Sequence, residues 1–285
     1  MIYLSLPKFF NNFYFYVNLC KFILRNPDKV NKEYNIESLY GSFSYCSWNG
    51  DINSNYGSIN LNYDFYSCPN QAPKVLRYDF SNILLEENDF YDAHCNSILL
   101  ENQNGCTQIE LSNLKLLNYL QSQYNNFNYV FSGKADCIFP FTEEIINVLS
   151  DQQDFILINL PGYLNKNKQL LNNLKNKHKI ELTIGNKCGN CSVENYKECL
   201  ISENTRQLEF SEISYFNKCS KNQYYLNNID FKKEIELFYN LGFRHFKLDA
   251  PPNHLINQFN RKLINLLIKT EYIDYFWDNF DKNKR

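Results

Sequence analysis

The sequence predicts a (β/α)₈ barrel, TIM-barrel-like and built as a single domain. Three observations predict it. Eight short apolar runs alternate with longer helical patterns over most of the 285 residues. Several runs carry charges on alternate positions, as strands that line a lumen on one side and meet helices on the other would. No internal repeat and no linker divides the chain. An open doubly wound sheet is the alternative architecture that the same alternation allows.

The strands are expected at Ile2–Leu6, Leu39–Tyr45, Lys74–Phe80, Thr107–Leu111, Tyr129–Ser132, Phe155–Leu160, Ile180–Asn186 and Arg244–Asp249. Helical periodicity falls between them at Asn11–Arg25, Glu87–Leu99, Ser112–Tyr124, Thr142–Ser150, Lys166–Lys175, Asp230–Leu241 and Pro252–Lys269. Ser112 and Asp230 stand where helix caps are expected, and Thr142-Glu143-Glu144 adds two acids to a cap at a positive helix end. Pro251-Pro252 closes the last strand. Asn53–Pro73 fits neither pattern and reads as an excursion over one face. Residues 204–228 read as an insertion between the seventh strand and its helix.

Composition narrows the function classes. A formal net charge of -2 provides no basic field for nucleic acid. The Asn-, Lys-, Tyr- and Phe-rich composition follows A/T-rich codons. The apolar N-terminus is interrupted by Pro7 and Lys8, so no signal peptide is expected. No apolar run is long enough for a membrane span. A cytoplasmic protein is therefore expected, with its 10 cysteines as reduced thiols or metal ligands. Cys20, Cys95, Cys106 and Cys137 read as small core residues.

Strand parity places chemistry. His245, Lys247 and Asp249 share one face of the last strand, and Glu181 and Thr183 share one face of the seventh. Arg77 and Asp79 share a face of the third, and Glu110 stands alone in the fourth. These charges should point into the lumen, where they must be paired or wet. They read either as a structural ion-pair network or as a substrate site. Lys247, Glu181 and Asp249 are the candidate catalytic groups, and Asp79, Arg77, Glu110 and His245 the candidate substrate contacts. Lys247 is expected to pair with Glu181 on the neighbouring strand. Asp79, Lys247 and Asp249 lie at strand carboxyl ends, where barrel active sites form.

The stretch Ile180–Cys219 concentrates four cysteines in the spacing C-x2-C-x7-C-x19-C: Cys188, Cys191, Cys199 and Cys219. Thiolates suit iron–sulfur clusters and zinc. No Gly-rich phosphate loop, H-E-x-x-H or G-x-S-x-G is present.

Glu181-Leu-Thr-Ile-Gly-Asn186 followed by Cys188 and Cys191 is similar to the seventh-strand segment of the collagenase-like peptidase family, peptidase family U thirty-two. Gly242-Phe-Arg-His-Phe-Lys-Leu-Asp249 resembles that family's late Gly-x-x-x-Phe-Lys-Ile-Glu segment, and Glu271 to Phe276 its closing helix. Trp48-Asn49-Gly50 and Phe80-Ser-Asn82, with Asp92 and Asn96, are weaker likenesses. The resemblance implies a barrel and, as in some relatives, a 4Fe–4S cluster on the four cysteines. It also implies a role in oxygen-independent hydroxylation of a quinone precursor or an RNA base. Zinc or no metal is the alternative for the cysteines. A peptidase-like hydrolase acting on peptide is the second functional reading. After Asp249 the chain has Ala-Pro-Pro where the family usually has Gly-Arg. That departure keeps a third reading open, a degenerate barrel serving as a binding or accessory subunit beside a homologous partner subunit.

Overall fold

Eight parallel strands close into a barrel in chain order, each hydrogen-bonded to its sequence neighbours and the eighth to the first. They are β1 (Ile2–Leu6), β2 (Tyr34–Gly41), β3 (Leu76–Phe80), β4 (Gln108–Leu111), β5 (Asn128–Phe131), β6 (Phe155–Leu160), β7 (Ile180–Ile184) and β8 (His245–Leu248). The computed structural model describes residues 1–7, 9, 12–43, 46–50, 75–103, 105, 107–185, 193–209, 229–249 and 255–282. The closed ring excludes the open doubly wound sheet.

The helices are α1 (Phe13–Arg25), α2 (Ala93–Glu101), α3 (Leu114–Gln123), α4 (Glu143–Asp151), α5 (Lys168–Asn173), α6 (Val193–Glu209), α7 (Phe231–Asn240), α8 (Ile256–Leu267) and α9 (Ile273–Lys282). Their apolar faces pack on the outward-facing strand residues. Leu76, Tyr78 and Phe80 of β3, Ile180, Leu182 and Ile184 of β7, and Phe246 and Leu248 of β8 all join this shell. The main apolar core is therefore the layer between sheet and helices. The lumen instead holds charged and polar groups, with Val130 and Leu157 beside them on the inward strand face.

Strand boundaries lie within two residues of expectation except at β2, which starts at Tyr34 and ends at Gly41. The alternation Tyr34-Asn35-Ile36-Glu37 is interrupted by the polar Ser38. The register against β1 shifts between Leu4 and Ser5, so that Ile36 faces Leu4 and Ser38 faces Ser5. Glu37 is the extra residue, and a bulge of this kind re-aims a side chain. Periodicity cannot show such an insertion.

Two helix starts also differ. The run expected over Glu87–Leu99 divides into a short 3₁₀ helix, Glu87–Tyr91, and α2. Asp92 breaks it, because its Oδ1 accepts from the amides of His94 and Cys95 at 2.9 and 3.0 Å and so starts a new helix. Helix α3 is capped by Asn113, whose Oδ1 accepts from Lys115 N at 2.9 Å, and not by Ser112. Ser112 is used elsewhere, its Oγ donating to the Ser81 carbonyl at 2.9 Å. Thr142 and Asp230 cap α4 and α7 as expected. The expected insertion, 204–228, begins inside α6, and its remainder from 210 lies outside the described residues, as does the expected excursion Asn53–Pro73.

The expectation that Cys95 is a reduced core thiol is corrected. It is buried, but it is disulfide-bonded to Cys46 across 49 positions of sequence. Cys20 is a buried thiol, as expected. Cys137 is half-buried, and burial, then Asp136, push its thiol up to about 11, so it is no thiolate at neutral pH. Cys106 lies outside the described residues. No helix among the described residues is long and apolar enough to cross a membrane.

Leu182 is fully buried in the shell between β7 and the helices. Leu182→Ala is expected to cost about 2–5 kcal/mol, from lost transfer energy and the cavity left behind. Urea unfolding at neutral pH checks this, as a lowered midpoint with an unchanged slope.

Candidate functional site

The alternation read from the sequence holds in the lumen, but the pairing does not. Lys247 does not bond Glu181. It reaches across the barrel from β8 to β4, where Nζ lies 2.6 and 2.5 Å from the two Glu110 oxygens. Glu181 reaches from β7 to β3 and takes Arg77 Nη1 at 2.9 and 2.7 Å. Register explains the exchange. Glu181 is level with His245, whereas Lys247 is level with Thr183, one layer nearer the carboxyl ends. Each charge therefore meets the partner that faces it at its own depth.

The two crossings are tied together. Arg77 Nη1 also approaches Glu110 Oε2 at 3.8 Å. Ser5 Oγ donates to Glu181 Oε1 at 2.6 Å and accepts from Ser38 Oγ at 2.9 Å. Asn159 Nδ2 donates to Glu181 Oε2 at 3.2 Å, Arg77 Nε to Gln108 Oε1 at 2.9 Å, and Ser132 Oγ to Glu110 Oε1 at 2.9 Å. Arg77, Glu110 and Glu181 are fully buried. Buried ions are tolerated only when each has a partner of opposite charge and its remaining polar atoms are largely bonded. Arg77 Nη2 is the exception, a buried donor with no hydrogen-bond partner among the described residues.

Ionisation follows this pairing. Burial alone would push the Glu181 carboxyl up, but Arg77, Lys247 and the donated hydrogen bonds outweigh it and hold Glu181 below the usual carboxylate range. Burial works against the Arg77 charge, and Glu181 and Glu110 overcome it, holding the guanidinium more firmly charged than usual.

Above this floor lies a second cluster. Lys134 follows the carboxyl end of β5, in the 3₁₀ helix Gly133–Cys137. Its Nζ is 2.8 Å from Asp79 Oδ2 and 2.8 Å from Ser81 Oγ. Ser81 Oγ also donates to Asp79 Oδ1. Asp79 is buried, while the Lys134 side chain keeps 18% of its surface exposed, more than Lys247 at 8%. For Asp79, burial is again overcome, here by Lys134 and then Lys247, so the carboxyl stays below its ordinary value. Gly133 makes the close approach possible: a Cβ there would meet Pro161 N at 2.5 Å and Leu160 C at 2.8 Å. Lys247 Nζ also stands 4.4 Å from the centre of the Tyr40 ring, whose hydroxyl donates to the Leu248 carbonyl at 2.5 Å.

The other expected site residues are placed as follows. His245 is at the opposite, amino end of the lumen, stacked on Tyr3 at 4.9 Å, with Nδ1 2.8 Å from Glu37 Oε2. Asp249 is half-buried at the carboxyl end of β8, its amide donating to the Ile184 carbonyl at 2.9 Å. Asp249 also contributes to keeping the Glu234 carboxyl above its ordinary value, after burial as the main cause. Cys188, Cys191 and Cys219 lie outside the described residues, and Cys199 is half-buried on α6.

Sequence parity brought Arg77, Asp79, Glu110, Glu181 and Lys247 to one lumen and missed Lys134 and Ser81. Both lie just past a strand end, where alternation no longer assigns a face. The signal available was Ser132-Gly133-Lys134, a lysine directly after a strand with a glycine that permits tight packing.

No protein-family profile and no curated protein matches the chain. Among solved structures, the chain is similar to the U32 peptidase Mk0906, with a TM-score of 0.55 and 10% identity over 88% of this chain and 94% of that one. At that identity the likeness shows a shared barrel fold.

Because Glu181 and Asp79 have depressed folded values, their contribution to stability is present above the unfolded carboxylate values of about 4 and is lost as pH falls towards the folded ones. Stability should therefore be flat with respect to these groups above about pH 5 and decline below about pH 4. In Glu181→Gln the decline should be shallower, and chemical denaturation at a series of pH values checks it.

Proposed function

We propose that this chain is a barrel hydrolase acting on peptide-type substrates, with Lys134 as the cation that engages the substrate. The carrying observation is the Lys134 ammonium at the carboxyl face, 2.8 Å from both Asp79 Oδ2 and Ser81 Oγ and partly open to solvent. Barrel chemistry is built at that face. The fold it shares with a U32 peptidase supports the choice of peptide over other substrates.

In this reading the Asp79 carboxylate holds the Lys134 ammonium in place. It polarises the carbonyl oxygen of the scissile amide and stabilises the negative charge that develops there. Water adds to the carbonyl carbon, the C–N bond breaks, and the proton that the attacking water gives up is carried to the leaving amine. Asp79 and Ser81 orient the ammonium. Lys247 adds positive potential from below while remaining paired with Glu110. Arg77, Glu110 and Glu181 form the floor and do not touch substrate, and Asp249 stands at the rim beside β7.

A second reading is favoured by one feature. Strand β7 ends at Ile184, and Cys188 and Cys191 come four and seven residues later in the sequence. This is the iron–sulfur reading, in which Cys188, Cys191, Cys199 and Cys219 hold a 4Fe–4S cluster that supplies electron transfer for hydroxylation of a quinone precursor or RNA base. Among the described residues no three His, Cys, Asp or Glu side chains are grouped to hold a metal. Of the four, Cys199 alone belongs to them, and one cysteine is not a ligand set.

The test is cleavage of denatured collagen and of an oligopeptide mixture by the full chain. Lys134→Ala should lower the rate by about 10²-fold or more, the cost of removing one preorganised charge-stabilising donor. Lys134→Arg should recover part of it. Cleavage unaffected by Lys134→Ala overturns the proposal. Absence of cleavage, together with bound iron and visible absorbance after anaerobic preparation, would select the second reading. Absence of both would select the accessory barrel.

A further inference from the structure

The carboxyl end of β3, which carries Asp79 and Ser81, is held from outside by a strap, residues 46–50. Ser47 binds Asp92 Oδ2 through its amide at 3.2 Å and its hydroxyl at 2.6 Å. Trp48 Nε1 donates to the Asp89 carbonyl at 2.7 Å, and its own carbonyl accepts from Asn82 N at 3.1 Å. Asn82 Nδ2 donates to the Ser47 carbonyl at 2.8 Å. Gly50 N approaches the Asp79 carbonyl at 3.4 Å. A Cβ on Gly50 would collide with Ser81, at 2.5 Å from its backbone carbon. The strap therefore lies directly against the two residues that orient Lys134.

What fixes the strap at its start is the Cys46–Cys95 bond, with Cα atoms 5.4 Å apart. Asp92 works in parallel with it. One carboxylate oxygen caps α2 at His94 and Cys95, and the other holds Ser47. Both cysteines are fully buried. The bond thus joins α2 to the strap, and the strap to the site.

We propose that Cys46 and Cys95 are positioning residues of the carboxyl-face site: their disulfide clamps residues 46–50 onto the end of β3 and so fixes Asp79, Ser81 and, through them, Lys134. The geometry of the site then depends on the oxidation state of this pair. Reduction is by thiol–disulfide exchange with a dithiol. One thiolate of the reductant attacks a sulfur, a mixed disulfide forms, and the second thiol resolves it. Cys46 and Cys95 are released as two thiols while the reductant becomes its cyclic disulfide. Because both sulfurs are buried, the exchange requires local opening of the strap. The functional meaning of this clamp rests on the peptide-hydrolase reading of the Lys134 site, but the clamp itself is read out without substrate.

The experiment uses the full chain and acetylation of lysine amines by an N-hydroxysuccinimide ester, with peptide mass spectrometry to follow Lys134 and, as a reference, exposed Lys115. Alkylation under denaturing conditions counts the thiols in the same samples. With the disulfide intact, Lys134 should label slowly. After dithiol reduction, or in Cys46→Ser/Cys95→Ser, Lys134 should label several-fold faster while Lys115 is unchanged, and reoxidation of the reduced wild type should restore slow labelling. Ser47→Ala, which keeps the disulfide and loses the Asp92 bond, should fall between the two. If the double variant does not fold, the reduced wild type provides the comparison. Equal Lys134 labelling in oxidised and reduced protein overturns the proposal, as does finding Cys46 and Cys95 as free thiols in the native protein. If labelling responds as expected while Lys134→Ala leaves peptide cleavage intact, the clamp stands and the hydrolase reading falls. If cleavage needs Lys134 but labelling ignores the disulfide, the reverse holds.

Discussion

The structure depends on two ion pairs that cross the barrel between opposite strands, Arg77 with Glu181 and Lys247 with Glu110. A parallel barrel is ordinarily filled by layers of branched apolar side chains. Here charged groups occupy much of that space, and taking each of them out of water costs several kcal/mol. The arrangement is stable only as a unit. Each carboxylate takes a cation and further hydroxyl or amide donors, and Arg77 touches both carboxylates. Removal of one member would leave its partner buried and charged.

The floor sets what the carboxyl face can do. Glu110 is paired with Lys247 and Glu181 with Arg77. Lys134, just past the carboxyl end of β5, lies against Asp79 and keeps some exposure. The same alternation that buries β7 and β8 apolar residues under the helices delivers these charges to the lumen. Fold and site are thus two faces of one strand pattern.

Much of this was legible in the sequence. Eight strands in order, their closure, and the inward charges of β3, β4, β7 and β8 follow from period-two alternation and its interruption by helices. The pairing was not legible, because parity assigns a face but not a depth. Depth is set by barrel stagger, which put Glu181 level with His245 instead of Lys247. The bulge at Glu37, the capping by Asn113 and the break at Asp92 depend on local hydrogen bonds that compete with periodicity. Lys134 and Ser81 escaped because they lie past strand ends, where alternation no longer assigns a face, and the Cys46–Cys95 bond escaped because partners 49 residues apart leave no spacing signature.

The most direct measurement is a double-mutant cycle on the fully buried pair, Arg77→Met, Glu181→Leu and the combination, followed by equilibrium unfolding at neutral pH. Each single change strands a buried charge and should cost about 3–5 kcal/mol. If the crossed pairs hold the lumen as a unit, the double variant should lose less than either single. Losses that add, with no coupling between the two positions, would contradict the account.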